Sequence, residues 1–279
     1  MPINKAVITA AGPDQTHLPL QTIVSSSGEA KPMLALLLDD VFSAGISSVA
    51  VIVAPGTQDD FEAAAGAHAE KVTFIEQADA AGFAHAVSCA RDFTSDDRFL
   101  LLLGDHIYLN PLGDTCITQL LNAAKDSEGP ISAVQPTPES LLPYYGTIGG
   151  KRIPGSRTML KVTNALEKPT PTVAEQELII PGLRSGKYLC YFGMHVLTPG
   201  VMAQIEADLA ANPDEKLPLT PSLNAIAQSE DYRACQVEGQ RFNLGSSYGL
   251  LRANLGMALA GPDRDEVMTS IIELIASTK

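Results

Sequence analysis

In the first hundred residues, apolar positions come as short unbroken runs separated by stretches of helical spacing. Residues 5–10 (KAVITA), 48–54 (SVAVIVA), 72–75 (VTFI) and 99–103 (FLLLL) are almost wholly aliphatic, β-branched or aromatic, which predicts strands buried on both faces. Between them, residues 33–44 (MLALLLDDVFSA), 58–68 and 83–91 read as helices, and Gly45 is a natural stop for the first of these. Residues 13–30 read as a polar loop. Strands alternating with helices imply a mostly parallel sheet covered on both faces, and such sheets bind ligands beyond the carboxyl ends of their strands. Two segments fall at that mouth: residues 10–13, after the first strand, and 104–106, after the fourth.

The texture changes near residue 130. Proline and glycine become frequent, and strand-like pieces fall at 131–134, 146–149, 159–167 and 188–197. Residues 170–187 read as a long excursion, and helical patterns recur at 199–211, 219–229, 246–260 and 264–278. The expectation is one compact α/β unit in two halves, 1–130 and 131–279. It combines a Rossmann-like, mixed and mostly parallel sheet flanked by helices with a small β-rich lobe.

Composition narrows the function classes. Of 279 residues, 45% are hydrophobic and 18% charged, enough for a sizeable core. The net charge of −13 argues against a nucleic acid or anionic membrane as partner, because both need a basic face. It leaves room for a phosphorylated small molecule held by a few lysines and a divalent metal. Cys89, Cys116, Cys190 and Cys235 are widely spaced with no CxxC pair, so buried thiols in a reducing compartment are expected rather than zinc or disulfides. The N-terminal segment MPINKAVITAAG reads as a core strand, and no apolar run approaches the ~20 residues of a membrane span. The expected setting is the cytoplasm.

Three segments could carry chemistry. Gly104-Asp105-His106 delivers a carboxylate to the sheet mouth, where it could hold Mg²⁺ or cap a turn. Small residues at Ala10-Ala11-Gly12 let a ligand approach the backbone closely. The segment matches neither GxGxxG nor a Walker motif, which argues against a dinucleotide-dependent oxidoreductase. Glu167-Lys168-Pro169 could bind sugar hydroxyls and a phosphate, or form an exposed ion pair. Among the other candidates, His85 reads as a packing or solvent residue, His106 could touch phosphate or metal, and His195 reads as a strand histidine. Arg184 and Lys187 read as rim cations or an oligomer contact, a homo-oligomer being one possible assembly.

The order of these pieces resembles the sugar-1-phosphate nucleotidyltransferase family, in particular its bacterial UTP–glucose-1-phosphate uridylyltransferase branch. The likeness runs along KAVITAAG (5–12), LP (18–19), KPMLALLLDDVFSAGI (31–46), IEQADAAGFAHAV (75–87), FLLLLGDHI (99–107), YYGTIGG (144–150), VTNALEKPTP (162–171), YFGMHVLTP (191–199) and RFNLGSSYGLLRANLGMAL (241–259). The resemblance implies a nucleotide-binding first half and a sugar-phosphate-binding second half. It implies attack of a hexose 1-phosphate on the α-phosphorus of a nucleoside triphosphate, with UTP favoured, giving an NDP-sugar such as UDP-glucose and pyrophosphate. Carried over by motif, Ala11 and Gly12 hold base and ribose, and Gln77 and Gly82 read the base edge. Asp105 and Asn243 hold Mg²⁺. Tyr145, Gly146, Glu167 and Gly193 line the sugar site, and Lys168 holds the sugar phosphate.

Three departures stand out. Where the family has G-[ST]-R after its first glycine, this chain has Pro13-Asp14-Gln15-Thr16-His17, without the arginine and with an added carboxylate. The Pro-Lys pair that contacts phosphate is absent from 24–29 (VSSSGE), and Lys31 matches a later, structural Lys-Pro. Asn243 stands where the family has its second metal carboxylate. Lys5, His17, Ser25, Ser26 and Ser27 are the candidate replacements for the lost phosphate grip. The departures also raise an alternative, a catalytically silent protein that binds an NDP-sugar or sugar phosphate.

Overall fold

The computed structural model describes residues 3–13 and 16–278. Among these residues, thirteen strands run in chain order: β1 Lys5–Thr9, β2 Thr22–Val24, β3 Ala30–Pro32, β4 Ser48–Val53, β5 Val72–Glu76, β6 Phe99–Leu103, β7 His106–Leu109, β8 Ile131–Pro138, β9 Thr147–Arg152, β10 Met159–Leu166, β11 Lys187–Leu197, β12 Arg233–Gln236 and β13 Gln240–Asn243. The α-helices are α1 Met33–Ser43, α2 Gln58–Ala65, α3 Phe83–Ser88, α4 Arg91–Thr94, α5 Cys116–Ala124, α6 Pro171–Glu177, α7 Pro199–Ala211, α8 Thr220–Ser229, α9 Gly249–Ala260 and α10 Arg264–Ser277.

The main sheet has nine strands in the order β5-β4-β1-β6-β11-β8-β12-β10-β9. Strands β5, β4, β1 and β6 are parallel, and β11 joins β6 antiparallel, with Met194 opposite Leu102. Alternate residues feed opposite faces. Ala6 and Ile8 of β1 pack with Leu34, Leu38 and Phe61, whereas Val7 packs with Val87, Met202 and Leu223 on the other side. All of these are fully buried. A smaller cluster of Ile23, Met33, Ile107, Leu244, Ala253 and Met257 ties the β2–β3 hairpin and α9 to the β7–β13 ribbon.

This arrangement fixes where a ligand can sit. The chain runs from β1 to β4 and β5 on one side, then returns to β6 on the other, so the β1–β6 boundary is the switch point of the parallel sheet. Ala11 and Gly12 leave β1 there, and Gly104-Asp105 leaves β6.

Several local expectations need correction. The run over 83–91 is interrupted at Cys89-Ala90, giving two short helices in place of one. The 170–187 excursion contains α6, whose start is set by the Thr170 hydroxyl accepting from Val173 N and by Pro171 in the first turn. The polar loop of 13–30 contains β2, and Ser25, Ser26, Ser27, Gly28 and Glu29 connect it to β3. Cys116, Cys190 and Cys235 are buried, whereas Cys89 is half-buried. Among the described residues, no helix is long and apolar enough to cross a membrane.

Candidate functional site

Two neighbouring cavities open at the switch point. The larger, of about 470 Å³, is lined in part by Asp105, Tyr145, Gly146, Glu167, Lys168, Gly193 and Asn243. The smaller, of about 190 Å³, is lined in part by Ala11, Gly12, Gln77 and Gly82. Every residue that the resemblance assigns to base, sugar, phosphate or metal therefore borders one of the two. Asp14, the carboxylate that the departure after Gly12 adds, lies outside the described residues, as does Gln15.

Asp105 is delivered by the end of β6 and is 3% exposed. Its Oδ1 lies 2.6 Å from His106 Nδ1. Burial pushes this carboxyl up, but the charge and hydrogen bond of His106, a backbone hydrogen bond and the charge of Arg241 together outweigh burial and hold it below the usual carboxylate range. The β7–β13 ribbon sets Asn243 opposite His106. Asn243 Oδ1 is buried and, among the described residues, has no hydrogen-bond partner. A Cβ added at Gly245 would lie 3.2 Å from that oxygen and 3.8 Å from Asp105 Oδ2, so the two oxygens flank one small space. An orphaned buried carbonyl oxygen beside a carboxylate suits a hard cation that takes few protein ligands. Among the described residues, no group of three or more His, Cys, Asp or Glu forms a metal cage.

The wall of the large cleft is tightly specified. Gly193 has φ +92°, and a Cβ there would come within 2.9 Å of Tyr108 Oη, which donates to the Gly193 carbonyl at 2.8 Å. A Cβ at Gly146 would lie 2.6 Å from the Tyr191 ring and 2.8 Å from Thr220 Oγ1. Thr220 donates to Glu167 Oε2 at 2.5 Å, which orients the carboxylate. Lys168, at φ +46°, is one of few non-glycine residues in the left-handed region, and its backbone N–H donates to the Tyr145 carbonyl at 3.3 Å. Among the described residues, its ammonium has no ion pair.

In the small cavity Gln77 is 4% exposed, and its Nε2 donates to the Gly82 carbonyl at 3.1 Å. A carbonyl can only accept, so this bond fixes which way the amide faces. The same nitrogen lies 2.9 Å from His85 Nδ1, so His85 does more than pack. Gln77 Oε1 is left as an acceptor.

The candidate replacements for the phosphate grip lie elsewhere. Lys5 sits at the opposite end of β1, 2.7 Å from Asp97. Ser25, Ser26 and Ser27 line a separate cavity beside Asp39 and Asp40. His17 is exposed and borders neither cavity of the site. Lys31 is engaged by Glu29 at 3.1 Å and Asp39 at 3.6 Å, as a structural lysine would be. The cations that do line the large cleft, besides Lys168, are Arg241 and Lys216, which sequence reading did not single out as ligand residues. Arg241 stacks 4.0 Å above the Tyr145 ring and donates to the Tyr191 carbonyl. Its place directly before the Phe242-Asn243 pair was the available signal.

Beneath the cleft, Ser132 Oγ contacts His195 Nδ1 and Tyr232 Oη, each at 2.6 Å, and Tyr232 donates to Tyr191 Oη at 3.0 Å. Burial pushes the His195 imidazole down from 6.5 to about 3. The folded value lies below the unfolded one, so the unfolded chain takes up this proton first as pH falls. His195 therefore costs no stability above pH 6.5 and drains about 1.4 kcal/mol per unit between about 6.5 and 3. Asp40, pushed up to about 6 by burial and then by Asp39, acts with the opposite sign between 3.8 and 6. The two are separated by comparing wild type with His195→Gln in urea unfolding. The wild type should lose about 1.4 kcal/mol per pH unit relative to the variant from pH 6.5 to 4.5. A pH-independent difference would contradict a buried neutral imidazole.

Comparison with known proteins gives a consistent result. A family model described as nucleotidyl transferase matches residues 20–257. The UTP–glucose-1-phosphate uridylyltransferase of Staphylococcus epidermidis is 24% identical over 97% of this chain and 98% of its own. That of Bacillus subtilis is 24% identical over 95% of each chain. Among solved structures, UTP-bound UGPase from Acinetobacter baumannii superposes with a TM-score of 0.74 at 21% identity, covering 99% of this chain and 100% of its own. A UDP-glucose pyrophosphorylase complexed with UDP-glucose gives a TM-score of 0.73 at 18% identity, covering 90% and 97%. These structures share the nucleotide-diphospho-sugar transferase fold with this chain.

Proposed function

The chain belongs to the nucleotidyl transferase family, and from that premise we propose that it transfers a uridylyl group from UTP to glucose 1-phosphate, giving UDP-glucose and pyrophosphate. The observation that carries this reading is the sorting of side chains between two abutting cavities. Gln77 and the small residues Ala11, Gly12 and Gly82 line one, and Asp105, Glu167, Lys168 and Gly193 line the other. Gln77 Oε1 accepts the N3–H of a uracil, which a cytosine does not offer. The Glu167 carboxylate, oriented by Thr220, accepts from sugar hydroxyls, and the Lys168 ammonium binds the sugar phosphate.

The step breaks the bond between the α- and β-phosphates of UTP and forms one from the α-phosphorus to an oxygen of the sugar phosphate. No protein nucleophile is required, so positioning and neutralisation of charge carry the rate. Asp105 and Asn243 Oδ1 would hold Mg²⁺, which would supply positive charge at the triphosphate. Isothermal titration with UTP, UDP-glucose and glucose 1-phosphate, followed by a pyrophosphate-release assay across nucleotide and sugar-phosphate pairs, tests the reading. Pyrophosphate release is expected with UTP and glucose 1-phosphate, and absence of turnover with every pair would refute it.

One observation favours a second reading, a silent binder of the same ligands: a neutral amide, with no charge to offer a metal, stands at 243. Asn243→Asp separates the two. For an enzyme whose metal rests on this pair, the added charge should change the Mg²⁺ dependence of turnover by about tenfold. A silent binder would bind UDP-glucose without turnover in either form, and an active enzyme indifferent to the change would contradict the metal assignment.

A further inference from the structure

A nucleotide sugar joins its base to its sugar through a ribose and a diphosphate. If the small cavity takes the base and the large cleft the sugar, as proposed above, the diphosphate must pass where the cavities meet. Among the described residues, two line both cavities, Phe83 and Lys216, and of these Lys216 carries the charge. Its position is fixed by the backbone. Ala84 N donates to the Leu217 carbonyl at 3.0 Å, and a Cβ at Gly82 would come within 2.9 Å of the Lys216 carbonyl carbon. The 212–219 loop is therefore seated on Gly82, beside Gln77.

The ammonium at this junction is uncommitted. Lys5, Lys31 and Lys161 all pair with carboxylates. Among the described residues, Lys216 has neither an ion pair nor a side-chain hydrogen bond, in a chain with 32 acidic residues against 19 basic ones. We infer that Lys216 binds the diphosphate of the nucleotide sugar, and the α-phosphate of UTP before transfer. It thereby supplies from the 212–219 loop a positive charge that the segment after Gly12 lacks. The base–sugar division of the two cavities is the reading on which this assignment rests.

Lys216→Gln keeps the stem and the backbone packing while removing the charge. Titration of wild type and variant with UDP-glucose and with uridine, which has no phosphate, tests the assignment. The variant should bind UDP-glucose about 10- to 100-fold more weakly, the range of a charge-assisted hydrogen bond, with its uridine affinity within about twofold of wild type. Lys216→Arg should recover most of the loss. Unchanged UDP-glucose affinity in Lys216→Gln would overturn the assignment while leaving the two-cavity reading intact. An equal loss for uridine would also overturn it, pointing to loop packing. If wild type binds neither ligand, the two-cavity reading falls and the assignment falls with it.

Discussion

Asp105→Asn is expected to lower turnover about 100- to 1000-fold, the range seen when one electrostatic contact to the transition state is removed. Asn keeps an oxygen for the His106 contact, so the substitution alters charge more than shape. Asp105 and Asn243 then offer two neutral oxygens in place of one anion and one amide, and the hold on a divalent cation weakens. Steady-state kinetics over a Mg²⁺ series measures the effect, with the melting midpoint as a check on folding. Turnover within about threefold of wild type at every Mg²⁺ concentration would remove Asp105 from the mechanism, since threefold is under 1 kcal/mol.

Lys168→Ala should raise the KM for glucose 1-phosphate about 10- to 100-fold while leaving the KM for UTP within about threefold. The backbone provides a control. At φ +46° a residue with a Cβ is held against its preference, at a cost of roughly 1–2 kcal/mol. Lys168→Gly relieves that cost and Lys168→Ala does not. Both variants should lose the sugar phosphate equally, while the glycine variant should be the more stable by about 1 kcal/mol in urea unfolding. Recovery of affinity in the glycine variant would mean that loop geometry, and not the ammonium, holds the phosphate.

The parallel strands β1, β4 and β6 were legible because they are buried on both faces, whereas β12, a four-residue member of the same sheet, was not. Runs such as VIT in β1 and FLLLL in β6 have no polar alternation to confuse with a surface strand. The β7–β13 and β2–β3 ribbons were not legible. Their strands are three or four residues long, and their pairing partners lie far off in sequence or across a short turn, so the pattern had no room to repeat. Helix α5 did leave a signal: Cys116, Ile117, Leu120 and Ala124 fall on one buried face, and Thr115 caps the start.

The site divides in the same way. Asp105, Glu167 and Lys168 stand at or just beyond strand ends, where sequence can place a side chain at the sheet mouth. Arg241 was readable only as part of a motif. Lys216 follows no strand and heads no helix, and it reaches the site because its loop packs on Gly82, a contact between residues more than a hundred positions apart.

The most direct measurement is a crystal structure of the protein with UDP-glucose and Mg²⁺. The account predicts the uracil in the small cavity with its N3–H on Gln77 Oε1, the glucose against Glu167 and Gly193, and the diphosphate crossing beside Lys216. A uracil in the large cleft, or a ligand confined to one cavity, would contradict it.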